Sequence, residues 1–108
     1  MYSTIDIIER VVSERSDIKI YNVSFGPKGA ILDDDINRFT YVCDKLSYDA
    51  PDGINPLFCI AAGNDGNLEK PLNRIQSPAD MVNGLGIGAY SISFLGDKYR
   101  SSYSCIGP

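Results

Sequence analysis

Pro56-Leu57-Phe58-Cys59-Ile60-Ala61-Ala62-Gly63-Asn64-Asp65-Gly66 is the stretch on which the fold turns. The apolar run over residues 57–62 is short enough to be a strand buried on both faces, and it ends in a turn of small residues that closes on an asparagine. A strand that gives way to Ala-Ala-Gly-Asn sets one amide side chain at the rim of a sheet with no bulky neighbour in front of it. A donor to an oxyanion has to be held in this way, because it must meet a developing negative charge without first reorganising. Asn64 is therefore the candidate donor. The competing reading is a turn asparagine chosen for its tolerance of left-handed backbone, which is common in Asn-Asp-Gly.

Working outward, Ser3 followed three residues later by Asp6 is a variant of the capping box, and Ile5, Ile8, Val11 and Val12 recur at helical spacing. These predict a helix over residues 4–14. The run Ile18-Lys19-Ile20-Tyr21-Asn22-Val23-Ser24-Phe25 is rich in β-branched and aromatic residues, and Gly26-Pro27 ends it, so a strand is expected there. Asp33, Asp34 and Asp35 stand where a helix dipole favours negative charge, and Ile36, Phe39, Cys43 and Leu46 follow at spacings of three and four. A second helix is expected over residues 34–47. Residues 50–56 read as a loop, residues 65–80 show little periodicity, and Leu85-Gly86-Ile87-Gly88-Ala89 resumes a strand-like run. Helix, strand, helix, strand, loop, strand is the order of an α/β chain with a parallel sheet and helices against it.

Composition narrows the function. A chain of 108 residues holds one domain at most, and 44% hydrophobic with 22% charged residues is ordinary for a globular fold. Ten Lys and Arg are scattered among fourteen Asp and Glu, a net charge of −4 without a basic stripe, so no nucleic-acid partner is expected. No apolar run approaches the roughly 18 residues that span a bilayer, and no membrane partner is expected. Cys43, Cys59 and Cys105 lack C-x-x-C spacing; metal binding is disfavoured, and Cys43 and Cys59 read as free core thiols. The three acids at 33, 34 and 35 offer oxygens of the kind calcium takes, but acids at a helix start are more often solvated partners of the dipole, and the sequence supports no cofactor. Gly84, Gly86 and Gly88 fall within an apolar strand and lack the further glycine and helix of a dinucleotide loop. Cys59 as a nucleophile is disfavoured, because burial raises a thiol pKa and the chain contains no histidine to act as its base.

Asn22-Val23-Ser24-Phe25-Gly26, then Ala61-Ala62-Gly63-Asn64, then Ser77-Pro78-Ala79 leading to Gly86-Ile87-Gly88-Ala89, and last Ser101-Ser102-Tyr103-Ser104 with Gly107-Pro108 together resemble the subtilisin-like serine peptidases, the subtilases. The matches keep family order and spacing over residues 5–108. The resemblance implies a partial parallel sheet with flanking helices, a fragment of a three-layer α/β/α catalytic domain. It implies that Asn64 is the side-chain oxyanion donor, that Ser24, Phe25 and Gly26 pair by their backbone with a peptide or protein substrate, and that Ala61, Ala62 and Gly63 line the pocket for the residue before the scissile bond. It also implies a cis peptide bond at Ser77–Pro78, beside that pocket.

The family's catalytic Asp and His lie upstream of the matched region and its nucleophilic Ser downstream, in a Gly-Thr-Ser motif that opens a helix; none of these motifs is present. The chain therefore reads as the central segment of a serine endopeptidase, inactive alone, in a parent whose calcium dependence the sequence leaves open. Ser101, Ser102 and Ser104 precede the family's nucleophile motif and are not assigned its role. The alternative is a non-catalytic α/β module descended from a subtilase, which keeps the sheet and binds peptides along the edge at residues 24–26. A sheet cut from a larger one leaves unpaired strand edges and uncovered apolar faces, and self-association is expected of it.

Overall fold

Helical spacing of Ile5, Ile8, Val11 and Val12 places one apolar stripe on α1 (Tyr2–Glu14), and Ile5 and Val12 are fully buried by it. This computed structural model describes residues 2–33, 35–49 and 55–107. The helix starts two residues before the expected position, which puts Ser3 inside it; the capping-box reading of Ser3 and Asp6 does not hold. A first helical turn has free N–H groups in any case, so an exposed serine is tolerated there.

The strand β1 (Ile20–Val23) is shorter than the run of β-branched residues that encodes it. It pairs in parallel with β2 (Leu57–Ala61) in the register Ile20↔Leu57 to Val23↔Ile60, and β2 pairs in parallel with β3 (Leu85–Ile87), so the sheet order is β1-β2-β3. Ser24, Phe25 and Gly26 run on beyond the last paired residue. Between the first two strands lies α2 (Arg38–Tyr48), which begins four residues later than expected. Asn37 caps it, its Oδ1 accepting the Thr40 N–H at 3.0 Å. The acids upstream are not in the first turn: Asp33 accepts the Asp35 N–H in a turn of its own, and Asp34 lies outside the described residues. A correctly spaced Asn cap satisfies a specific orphan donor, which a diffuse run of negative charge does not. Most of the expected loop over residues 50–56 also lies outside the described residues.

Both helices serve one face of the sheet. Ile5, Val12, Phe39, Val42 and Cys43 from the helices form one buried cluster with Val23, Phe58 and Ile60 from the strands and Ala79 and Met81 from the loop before β3. Tyr21 and Phe58, opposite each other across β1 and β2, stack with ring centroids 5.2 Å apart. Strand β2 was expected to be buried on both faces and is not: Phe58 and Ile60 are buried, whereas Leu57 and Ala61 are exposed and Cys59 is half-buried. The reason is that no described element covers the second face. The partial α/β sheet is therefore two layers among the described residues.

Beyond Ala89 the chain forms an antiparallel hairpin, β4 (Tyr90–Ile92) with β5 (Lys98–Arg100), for which no element was expected. Its turn is closed by Ser93 N–H to Asp97 O at 2.7 Å and Gly96 N–H to Ser93 O at 2.9 Å, with Gly96 at φ 90°. The Ser77–Pro78 bond is cis, as the family resemblance implies, and so is Lys70–Pro71. All three cysteines are free. Cys43 is a core thiol, its pKa pushed up to about 12 by burial, with the Asp44 carboxylate adding to the effect. Cys59 is not fully one, because it lies on the uncovered face.

Candidate functional site

The carboxyl ends of the three parallel strands open onto a cleft of about 530 Å³. In open α/β sheets this end is where ligands gather, since each strand there hands the chain to a loop. Ser24 enters the cleft from beyond β1, Ala61, Ala62, Gly63 and Asn64 from β2 and the turn after it, and Gly88 and Ala89 from beyond β3. Five of the seven residues singled out from sequence thus meet in one place. The other two do not line it. Phe25 turns toward α2, its ring edge-on to Phe39 at 6.2 Å, and Gly26 backs onto the loop before β3, where an added Cβ would collide with the Ser77 carbonyl oxygen.

The cleft is broader than the sequence suggested. Ile20, Asn22, Cys59 and Ile87 reach it from the uncovered sheet face, and Tyr103 and Ser104 from the segment after the hairpin. Period-two alternation along β1 and β2 is the signal that places Asn22 and Cys59 on one face, and it is readable only once the register Asn22↔Cys59 is known. Ser24 Oγ donates to Asn22 Oδ1 at 3.3 Å.

The turn over residues 62–66 is held from several directions. Ala62 N–H donates to Ile87 O at 2.9 Å, and Gln76 N–H donates to Ala62 O at 3.0 Å. Cys105 N–H donates to Gly63 O at 3.2 Å, and Gly66 N–H to Tyr103 O at 2.8 Å. Asp65 N–H donates to Cys105 Sγ at 3.3 Å, and Gln76 Nε2 donates to Asp65 Oδ2 at 2.7 Å. Gly63 has φ +119°, a backbone conformation that favours glycine. The Asn64 side chain is exposed and makes no hydrogen bond among the described residues.

No serine near the cleft is prepared as a nucleophile. Ser101 and Ser104 are buried, with Ser101 Oγ bonded to Ser91 Oγ at 2.7 Å and Ser104 Oγ accepting the Ala89 N–H at 2.9 Å. Ser102 is exposed, and the chain has no imidazole to take a hydroxyl proton. Among the described residues no group of three or more His, Cys, Asp or Glu is placed to hold a metal ion. What the arrangement offers chemically is a rigid turn, an uncommitted amide donor and a small-residue cleft wall.

The chain is thus an α/β protein, a parallel sheet with helices packed against one face and a cleft at the carboxyl ends of its strands. The subtilase family profile matches residues 1–108, and the chain belongs to that family of serine peptidases. Comparison with curated proteins and with solved structures returns no match.

Proposed function

We propose that this chain supplies the oxyanion donor and part of the substrate cleft for peptide-bond hydrolysis through a serine acyl-enzyme, with Asn64 as the donor. The observation that carries this reading is the contrast at residues 62–66: backbone tied at Ala62, Gly63, Asp65 and Gly66, and a free amide between them. A donor carried on a turn that is already held costs little backbone reorganisation when the carbonyl oxygen becomes negative, and so can stabilise the transition state more than the bound substrate. The exposed segment after β1 is the edge on which an extended peptide pairs through main-chain hydrogen bonds, as β-augmentation requires. Ala61, Ala62 and Gly63 leave room beside that edge for the side chain preceding the scissile bond.

Asn64→Ala in the full-length protein tests this. It is expected to lower kcat by about 10²- to 10³-fold with little change in KM, a magnitude carried over from a subtilisin and so from this same family. Unchanged kcat would return Asn64 to the role of a turn residue. A full-length protein that binds peptides and cleaves none would favour the non-catalytic module.

A further inference from the structure

Two side chains from outside the turn grip it on either side of Asn64. Gln76 uses both its backbone and its side chain: N–H to Ala62 O at 3.0 Å, and Nε2 to Asp65 Oδ2 at 2.7 Å, so it bridges the residues two before and one after the amide. Cys105 does the same from the opposite strand of chain, donating N–H to Gly63 O at 3.2 Å and accepting the Asp65 N–H on Sγ at 3.3 Å. Both also pack against the bend itself. A Cβ at position 63 would lie 2.9 Å from Cys105 Sγ and 3.0 Å from Gln76 Cδ. Cys105 is buried and Gln76 half-buried, so these contacts are shielded from competing water.

We propose that Gln76 and Cys105 are positioning residues for Asn64, setting the peptide planes at Gly63 and Asp65 and through them the direction of the amide. The inference rests on the oxyanion reading of Asn64. Neither residue is placed to touch a reacting atom; their effect is on where the donor sits. Catalytic geometry is steep in this respect, and a displacement of about 1 Å can cost about 10²-fold in rate. Since the amide acts on the transition state, the loss is expected in kcat and not in KM.

The test is made in the full-length protein with Gln76→Met, which keeps the length of the side chain beside Gly63 and removes the Nε2 donor. The expected result is a kcat lower by about tenfold or more with KM and thermal midpoint close to wild type. In an Asn64→Ala background the same substitution is expected to leave kcat unchanged, because a residue acting through Asn64 has nothing left to act on. Cys105→Ala is expected to behave likewise, with Cys105→Ser recovering most of the rate by restoring an acceptor for Asp65 N–H. Should Gln76→Met fail to fold, the Cys105 pair carries the same comparison. An unchanged kcat in the single variants, or an equal loss with and without Asn64, overturns the positioning role while leaving the oxyanion reading intact. Wild-type kcat in Asn64→Ala itself overturns both.

Discussion

At residue 64 the side chain amide stands free among the described residues while hydrogen bonds hold residues 62, 63, 65 and 66, and the oxyanion role proposed for Asn64 rests on that difference. Sequence was enough to single out Asn64, because Ala and Gly on its N-terminal side leave it uncovered wherever the strand ends. It was not enough to identify Gln76 and Cys105, which are 12 and 41 residues away in the chain and reach the turn only in the folded state. The cysteines differ in the same way. Cys43 is 1% exposed and burial pushes its thiol up to about 12, so at pH 8 it stays in the unreactive thiol form. Cys59 is half-buried in the cleft wall. Native alkylation at pH 8, mapped by peptide mass spectrometry, is expected to modify Cys59 first and to leave Cys43 untouched until the chain unfolds.

Among the elements, α2 is tied to the loop beside the cleft by a small polar network. Asn37 Oδ1 accepts from Thr40 N–H at 3.0 Å and from Ser77 Oγ at 2.8 Å, and Thr40 Oγ1 donates to Asp80 Oδ1 at 2.6 Å. Thr40 and Ser77 are buried, and the Ser77 carbonyl is the surface on which Gly26 rests. One asparagine thus caps a helix and anchors the loop that backs a predicted substrate-pairing segment. Asn37→Ala is expected to destabilise by about 1–2 kcal/mol in urea titrations, somewhat more than an exposed cap, because Ser77 Oγ loses one of its two side-chain partners as well and keeps only Thr40 Oγ1. Asn37→Asp, which keeps the acceptor, is expected to lose much less. Helix spacing made α1 and α2 legible to within a few residues. The sequence places the α2 start too early because three consecutive acids mimic a first turn; Asn37 caps through the Thr40 N–H, and its bond from Ser77 Oγ is the part of the cap that only the fold supplies. The hairpin carried a readable signal, Tyr-Ser-Ile-Ser alternation before a turn at Gly96-Asp97, in strands of only three residues each.

At the scale of the molecule the sheet is covered on one side. Ile20, Leu57, Leu85 and Ile87 are 65%, 36%, 50% and 49% exposed on the other, apolar side chains on the face they share with Asn22 and Cys59, and among the described residues β1 is an edge strand. Surfaces of this kind mark contacts with another chain or segment, and edges with unpaired N–H and C=O groups invite strand pairing. The 108-residue chain is expected to self-associate at tens of micromolar, read by sedimentation velocity. A single monomeric species with a cooperative thermal transition would overturn this.

The first five elements, their order and the parallel α/β sheet were determined by the sequence alone, because hydrophobic periodicity and turn chemistry act over neighbours along the chain; the hairpin after them was not expected. So was the family, whose motifs are local strings of residues. Tertiary structure decided which face of β2 is buried, since burial depends on what packs against a strand and not on its own composition. It also decided which residues share the cleft: Asn22 and Cys59 by register, Tyr103 and Ser104 by the return of the chain after the hairpin, and Gln76 and Cys105 by hydrogen bonds that close across distances the sequence does not encode.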